Sequence, residues 1–202
     1  IASSADGTKL VAGVAGNQLY TSTDSGGTWT ARENSRGWTS VASSSDGTKL
    51  VAVADSQSIY TSTDSGSTWT AHESARAWTF VASSSDGAKL VALVDNGSIY
   101  TSTDSGSTWT PRDTARAWQS VASSSDGTKL VAVVTGGQIY VSTDSGASWT
   151  ARESSRSWRG VASSSDGTKL VSGVNGGQVY TSIATTGLQF TPATNASGSP
   201  YT

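Results

Sequence analysis

The string Ser22-Thr23-Asp24-Ser25-Gly26-Gly27-Thr28-Trp29 returns at Ser62 to Trp69, Ser102 to Trp109 and Ser142 to Trp149, each copy 40 residues after the last. A motif copied at a fixed step of this size restricts the chain to a repeat architecture, in which each unit buries its apolar side against the next. The same step is kept by Tyr20, Tyr60, Tyr100, Tyr140 and Tyr180, and by Lys9, Lys49, Lys89, Lys129 and Lys169. Trp38, Trp78, Trp118 and Trp158 keep it too, and no insertion interrupts it before residue 180.

Within one unit the pattern reads as four short strands. Trp38 to Ser43 is the first, followed by the turn Ser44-Ser45-Asp46-Gly47, whose Asp and Gly tolerate unusual backbone angles. Lys49 to Val53, Ser58 to Ser62 and Thr68 to Ala71 are the other three. All are short, rich in β-branched and aromatic residues and bounded by turn chemistry, and none has helical length or period. Four antiparallel strands in about 40 residues, copied around an axis, describe a β-propeller blade. A β-sandwich would not require one unit copied in register. The expected fold is therefore all-β, a single five-bladed β-propeller over residues 1–192, with units near 1–36, 37–76, 77–116, 117–156 and 157–192. A tail, 193–202, follows. Unit one starts at Ile1, aligned with Val41, and lacks the inner-strand Trp. Unit five loses the motif after Ser182, where Leu188 and Phe190 are expected to cover the site that Trp fills elsewhere. The stretch from Thr191 is expected to run beside the first unit and close the ring, with Tyr201 as a substitute aromatic.

The repeated string S-x-D-x-G-x-[TS]-W resembles the Asp-box, or BNR repeat, of sialidases, some glycoside hydrolases and sortilin-type receptors. The whole unit is most similar to the photosystem II stability/assembly factor-like bacterial propellers. The resemblance covers residues 1 to about 183 and implies that the box lies between the third and fourth strands of a blade. The residues themselves suggest an architectural role. Asp24, Asp64, Asp104 and Asp144 can accept backbone N–H groups of their own turns. Gly26, Gly66, Gly106 and Gly146 supply a conformation that a side chain hinders. Trp29, Trp69, Trp109 and Trp149 bury a large ring whose indole N–H needs an acceptor.

Composition narrows the function classes. The net charge is -2 with 14% charged residues, which favours neither nucleic acid nor a polyanion. No apolar run approaches the roughly 20 residues that span a bilayer, so a soluble chain without membrane contact is expected. Cysteine is absent, which removes disulfides, thiol nucleophiles and thiolate metal sites. A thiol-free, Ser/Thr/Gly-rich chain suits an extracytoplasmic or secreted setting. With no Met and a start inside the repeat, it reads as a mature or trimmed chain. Asn96-Gly97-Ser98 and Asn195-Ala196-Ser197 are sequons that matter only in a glycosylating host.

Strand connectivity sorts the loops onto two ends. The Asp-Gly turns and box turns share one, where five Lys face nine Asp. The second-to-third loops and the linkers share the other, with eight Arg against six acidic residues. Local fields of opposite sign guide a partner more than the total charge does. Arg36, Arg76, Arg116 and Arg156 precede the inner-strand Trp by two residues and are expected to ring the mouth of a central channel. There they could hold a carboxylate, sulfate or phosphate, or else stack on Trp and pair with Glu33, Glu73, Asp113 and Glu153. Trp38, Trp78, Trp118 and Trp158 are candidate sugar platforms or inter-blade core. The loops Ala54–Gln57, Val94–Gly97, Val134–Gly137 and Val174–Gly177 differ between units on a fixed scaffold, where recognition concentrates. His72 stands where other units have Arg and reads as a surface variant.

Sialidases with this box use an arginine triad, a Tyr/Glu nucleophile pair and an acidic donor. Here every acidic residue except Asp55 and Asp95 belongs to a repeated set, and carboxylate hydrolysis needs two carboxyls in different environments. The expected function is non-catalytic, without cofactor or metal: a monomeric, lectin-like propeller binding a glycan or small anion on the Arg-rich face. The alternatives are a scaffold that docks a protein partner, or a recently amplified or engineered array with no evolved ligand.

Overall fold

The computed structural model describes residues 1–183 and 189–194, which form strands and turns and no helix. Leu188, Tyr201, Asn195 and most of the tail lie outside the described residues. Unit one comprises β1 (Ala2–Ser3), β2 (Leu10–Gly13), β3 (Ala15–Ser22) and the first half of β4 (Thr30–Ser43). Unit two takes the second half of β4, then β5 (Leu50–Ser62) and the first half of β6 (Thr70–Ser83). Unit three continues with β7 (Leu90–Val94), β8 (Gly97–Ser102) and β9 (Thr110–Arg116). Unit four holds β10 (Trp118–Ser123), β11 (Leu130–Ser142) and the start of β12 (Thr150–Ser163). Unit five holds the rest of β12, β13 (Lys169–Val174), β14 (Val179–Ile183) and β15 (Gln189–Pro192).

Pairing is antiparallel throughout, in a nine-stranded run from β1 to β9 and a six-stranded run from β10 to β15. In unit three Leu90 pairs with Ser102, and Ile99 with Arg112. At three of the four junctions the outer strand of one unit and the inner strand of the next run on as one extended segment, β4, β6 and β12; at the fourth, Ala117 separates β9 from β10. β4 pairs with β3 through Thr30–Gly37, then leaves that ladder and pairs with β5 from Trp38 onward. The linker is thus paired on both sides of an irregularity at residues 33–35, with β3 before it and at Arg36–Gly37, and with β5 from Trp38. At the C-terminal end Thr191 pairs with Thr181, and Ala193 N–H donates to Val179 O at 2.7 Å. Residues 191–193 therefore complete unit five rather than running beside unit one, because β14 offers an unpaired edge there.

Alternation along each strand gives every unit two apolar faces, and consecutive units pack face to face. Between units two and three, Val51, Val53 and Ile59 meet Trp78, Val81, Leu90, Tyr100 and Trp109. The three other junctions repeat this arrangement with equivalent residues. At the last junction Phe190 joins Trp158 and Tyr180, taking the place that Trp109 holds beside Trp78, as expected. Each inner-strand Trp meets the Tyr of its own third strand edge-on, with centroids 5.0–5.2 Å apart. Such pairs contribute about 0.5–1.5 kcal/mol beyond burial.

The units wrap one axis. Ala5 N–H donates to Ser45 O, Ser45 to Ser85, Ser85 to Ser125 and Ser125 to Ser165, at 2.7–2.8 Å. These residues line an axial cavity of about 380 Å³ at the box end.

Candidate functional site

The two ends of the array differ in what their polar groups are free to do. At the box end each turn is a closed network. Asp104 accepts the hydroxyls of Thr108 at 2.6 Å and Ser102 at 2.8 Å and the Thr108 N–H at 2.9 Å, while Ser102 Oγ accepts Gly106 N–H. The other three boxes repeat these bonds. The acceptor reaches residue i+4, a wider loop than the turn sequence suggests, and Ser102 shares the work. The Asp-Gly turns form a second network that the sequence reading missed: Asp46 accepts from Ser44 Oγ, Thr48 N–H and Thr48 Oγ1. The two networks are tied together by Ser65 N–H donating to Thr48 O.

These bonds favour the ionised carboxylates. The hydroxyls of Thr28, Thr68, Thr108 and Ser148, and then the N–H groups of the same residues, hold Asp24, Asp64, Asp104 and Asp144 at about 2. Ser44, Ser124 and Ser164 hold Asp46, Asp126 and Asp166 well below the ordinary carboxylate value. The acceptor sites of these carboxylates are largely occupied by their own turns.

The box glycines occupy the left-handed region as expected, Gly66 at φ +83° and Gly106 at +87°. The box Trp set is less uniform than its sequence. Trp69, Trp109 and Trp149 donate Nε1–H to Gly66, Gly106 and Gly146 O at 3.0–3.1 Å, and Trp109 is buried. Trp29, in unit one, is 41% exposed.

The linker end holds the candidate recognition residues. Arg36, Arg76, Arg116 and Arg156 lie with Cζ 4.4–4.9 Å from the ring centroids of Tyr60, Tyr100, Tyr140 and Tyr180 in the following unit. The stacking partner is chiefly this Tyr; only Arg116 also approaches its Trp, at 5.9 Å. Arg36, Arg76 and Arg116 also pair with Glu33, Glu73 and Asp113 three residues back, at 3.3, 3.7 and 3.5 Å. Those acidic residues and Glu153 hold φ between 48° and 61°, which for a non-glycine residue stores backbone strain. The guanidinium groups thus sit at the junctions between units. The cavity on the axis is at the opposite end and is lined by serine.

The four inner-strand Trp are 0–4% exposed, closed between units and facing their Tyr partners. A sugar has no open face of these rings to stack on, and of the two readings of these residues burial favours inter-blade core. The tips of the variable loops, Asp55 to Gln57, Asp95 and Asn96, Thr135 and Gly136, and Asn175 to Gly177, are exposed beside the arginines. Gln57 accepts from Arg36 at 3.2 Å, and Gln18 and Gln138 donate to the Glu33 and Glu153 carbonyls. His72 bonds Thr61 Oγ1 through Nε2 at 2.9 Å, the place taken by Arg32 and Arg112 on Thr21 and Thr101. Arg152 has no such acceptor, since Val141 replaces the Thr. Among the described residues no three His, Asp or Glu converge as a metal site.

A family model described as the DUF6242 beta propeller domain matches residues 74–166. A solved structure titled "YCF48 bound to D1 peptide" is similar at 20% identity and TM-score 0.69, over 94% of this chain and 64% of that one. YCF48 from Cyanidioschyzon merolae is similar at 17% identity and TM-score 0.69, over 95% of this chain and 69% of its own. The Niastella koreensis GH74 enzyme is similar at 26% identity and TM-score 0.68, over 90% of this chain and 29% of its own. The chain thus spans just under two thirds of the first of these structures. No curated protein matches it. The fold is a β-propeller.

Proposed function

We propose that this chain is a five-bladed, non-catalytic binding propeller that docks an acidic peptide segment of a protein partner on its linker face. The observation that carries the reading is the row of Arg36, Arg76, Arg116 and Arg156. Each guanidinium is oriented by a Tyr ring, and in the first three the side chain is 22–37% exposed. An exposed ion pair is worth about 0–1 kcal/mol, so a partner's carboxylate displaces Glu33, Glu73 or Asp113 at little cost. Stacking removes part of the rotamer freedom that binding would otherwise have to freeze. The box face is less suited, because its carboxylates are engaged by their own turns. Buried Trp rings favour a peptide over a glycan. The similar chain titled as bound to D1 peptide supports a peptide as the class of partner.

A fluorescein-labelled decaglutamate peptide, followed by polarisation, tests the reading. Binding is expected to weaken at least tenfold when Arg36, Arg76, Arg116 and Arg156 are all changed to Gln, and to weaken with salt. Changing Lys49, Lys89 and Lys129 to Gln on the other face is expected to leave it unaltered. Absence of binding, or equal binding by the wild type and the quadruple Arg variant, would overturn the proposal.

A further inference from the structure

Five large apolar side chains stand in solvent among the described residues: Ile1 at 83%, Val14 at 42%, Trp29 at 41%, Val171 at 39% and Val179 at 41% exposed. Their positions in the repeat explain them. Val171 and Val179 lie on the forward face of unit five. Their counterparts Val51, Val91 and Val131, and Leu19, Ile59, Ile99 and Ile139, are 0–1% exposed because the next unit covers them. Ile1, Val14 and Trp29 lie on the rear face of unit one, where Val41, Ala54 and Trp69 of unit two meet the unit before. The two ends of the array are therefore the two halves of the joint that is made four times inside it.

The fine geometry of that joint is also present in halves. A Cβ added at Gly66, Gly106 or Gly146 would lie 2.5–2.6 Å from Cγ2 of Thr21, Thr61 or Thr101 in the preceding unit, so each Thr methyl fills a hollow left by a glycine. At Gly26 no such Thr is found. Gly47, Gly87, Gly127 and Gly167 are covered in the same way by Lys9, Lys49, Lys89 and Lys129, whereas Gly7 has nothing within 4 Å. Thr181 and Lys169 are the corresponding knobs at the other end, without a glycine seat among the described residues, and they border an apolar hollow of about 480 Å³ with Ala162, Leu170 and Val171. Lys9 and Lys129 Nζ donate to the Asp46 and Asp166 carbonyls of the following unit. Lys169 and the Ser165 N–H are the equivalent donors at the open end, and Asp6 and Ala5 carry the equivalent carbonyls.

We infer that the forward face of unit five is a docking surface for the rear face of unit one in a second copy of this chain. Thr181 and Lys169 of one copy seat on Gly26 and Gly7 of the other, with Val171 and Val179 against Ile1 and Trp29. No other occupant is matched so fully, since both halves of a joint already used four times occur on one molecule. The contact is heterologous: it joins unlike faces, and a pair of copies retains one free face of each kind.

Sedimentation velocity of the chain over a hundredfold concentration range tests this. Wild type is expected to shift from one chain to two or more. A forward-blocked variant, Val171→Glu with Val179→Glu, and a rear-blocked variant, Val14→Glu with Trp29→Glu, are each expected to stay single. All four substituted positions are at least partly exposed, so folding is expected to survive and is checked by circular dichroism. The decisive arm is the equimolar mixture, in which the two variants form a 1:1 pair that goes no further. A wild type that stays single throughout would overturn the inference, as would a mixture that does not pair. If the two faces instead met within one chain, the forward-blocked variant would lose thermal stability with no change of mass, which also overturns it.

Discussion

Adding one methyl group at Gly106 and one at Gly26 separates what the box turn needs by itself from what the joint between units needs. Both residues sit in the left-handed region, at φ +87° and +89°. An alanine at either site therefore incurs the same backbone strain, about 1–2 kcal/mol. The local surroundings match as well, with Leu90 Cδ1 at 3.2 Å from the new Cβ in one case and Leu10 Cδ1 at 3.3 Å in the other. Only Gly106 meets a neighbouring unit: Thr61 Cγ2 would be 2.5 Å away, about 1 Å inside an ordinary carbon contact. Overpacking of this kind typically costs about 1–3 kcal/mol. Gly26→Ala is thus expected to lose about 1–2 kcal/mol and Gly106→Ala about 2–5 kcal/mol. In urea, with a slope of about 2 kcal/mol/M, the midpoints fall by about 0.5–1 M and 1–2.5 M. Thr61→Ser removes the offending methyl and keeps the hydroxyl that bonds His72, so the double variant should recover at least about 1 kcal/mol of the excess. Equal losses for Gly26→Ala and Gly106→Ala, or no recovery with Thr61→Ser, would refute the account of a Thr methyl seated in a glycine hollow.

Val141→Thr should stabilise the chain by about 1 kcal/mol, read as a rise of roughly 2–4 °C in Tm, because it gives the buried Arg152 Nε the acceptor that Thr21 and Thr101 give Arg32 and Arg112. Acid stability follows from the box carboxylates, held at about 2 when folded. The unfolded chain binds protons first, near 3.9, so their contribution is complete above about pH 4 and is lost as the pH falls from about 4 to 2. Tm measured across that range should drop, and should drop less in the Asp104→Asn variant.

The repeat, its strands and the end of the array on which each loop lies were legible because one sequence written several times reports period, turn chemistry and apolar alternation together. What was not legible came from relations between units. Arg36 could be placed two residues before Trp38, but its stacking on Tyr60 depends on the linker crossing into the next unit. Trp29 has the same sequence context as Trp109, yet it is exposed where Trp109 is buried, a difference that the neighbouring unit makes and the local string does not encode. The Ser44–Asp46–Thr48 network repeats at Ser124, Asp126 and Thr128, and its spacing could have been read as a turn clamp.

Near-identity of units also constrains where selectivity can reside. Four equivalent arginines offer four equivalent contacts, and such a row sets affinity through the number engaged at once rather than through any one of them. Each bound carboxylate raises the effective concentration of the next along the row, so binding should fall steeply with the number of arginines removed. Discrimination between acidic partners must then come from what the units do not share. The loop tips beside the row provide this: Asp55-Ser56-Gln57 in unit two, Asp95-Asn96-Gly97 in unit three, and the uncharged Thr135-Gly136-Gly137 and Asn175-Gly176-Gly177 in units four and five. Two tips carry a carboxylate, whereas those of units one, four and five do not, so the proposed acidic segment would be repelled from units two and three and would favour units four and five, where consecutive tips are uncharged. There Arg156 stacks on Tyr180, and its register along the row is set by charge rather than by shape.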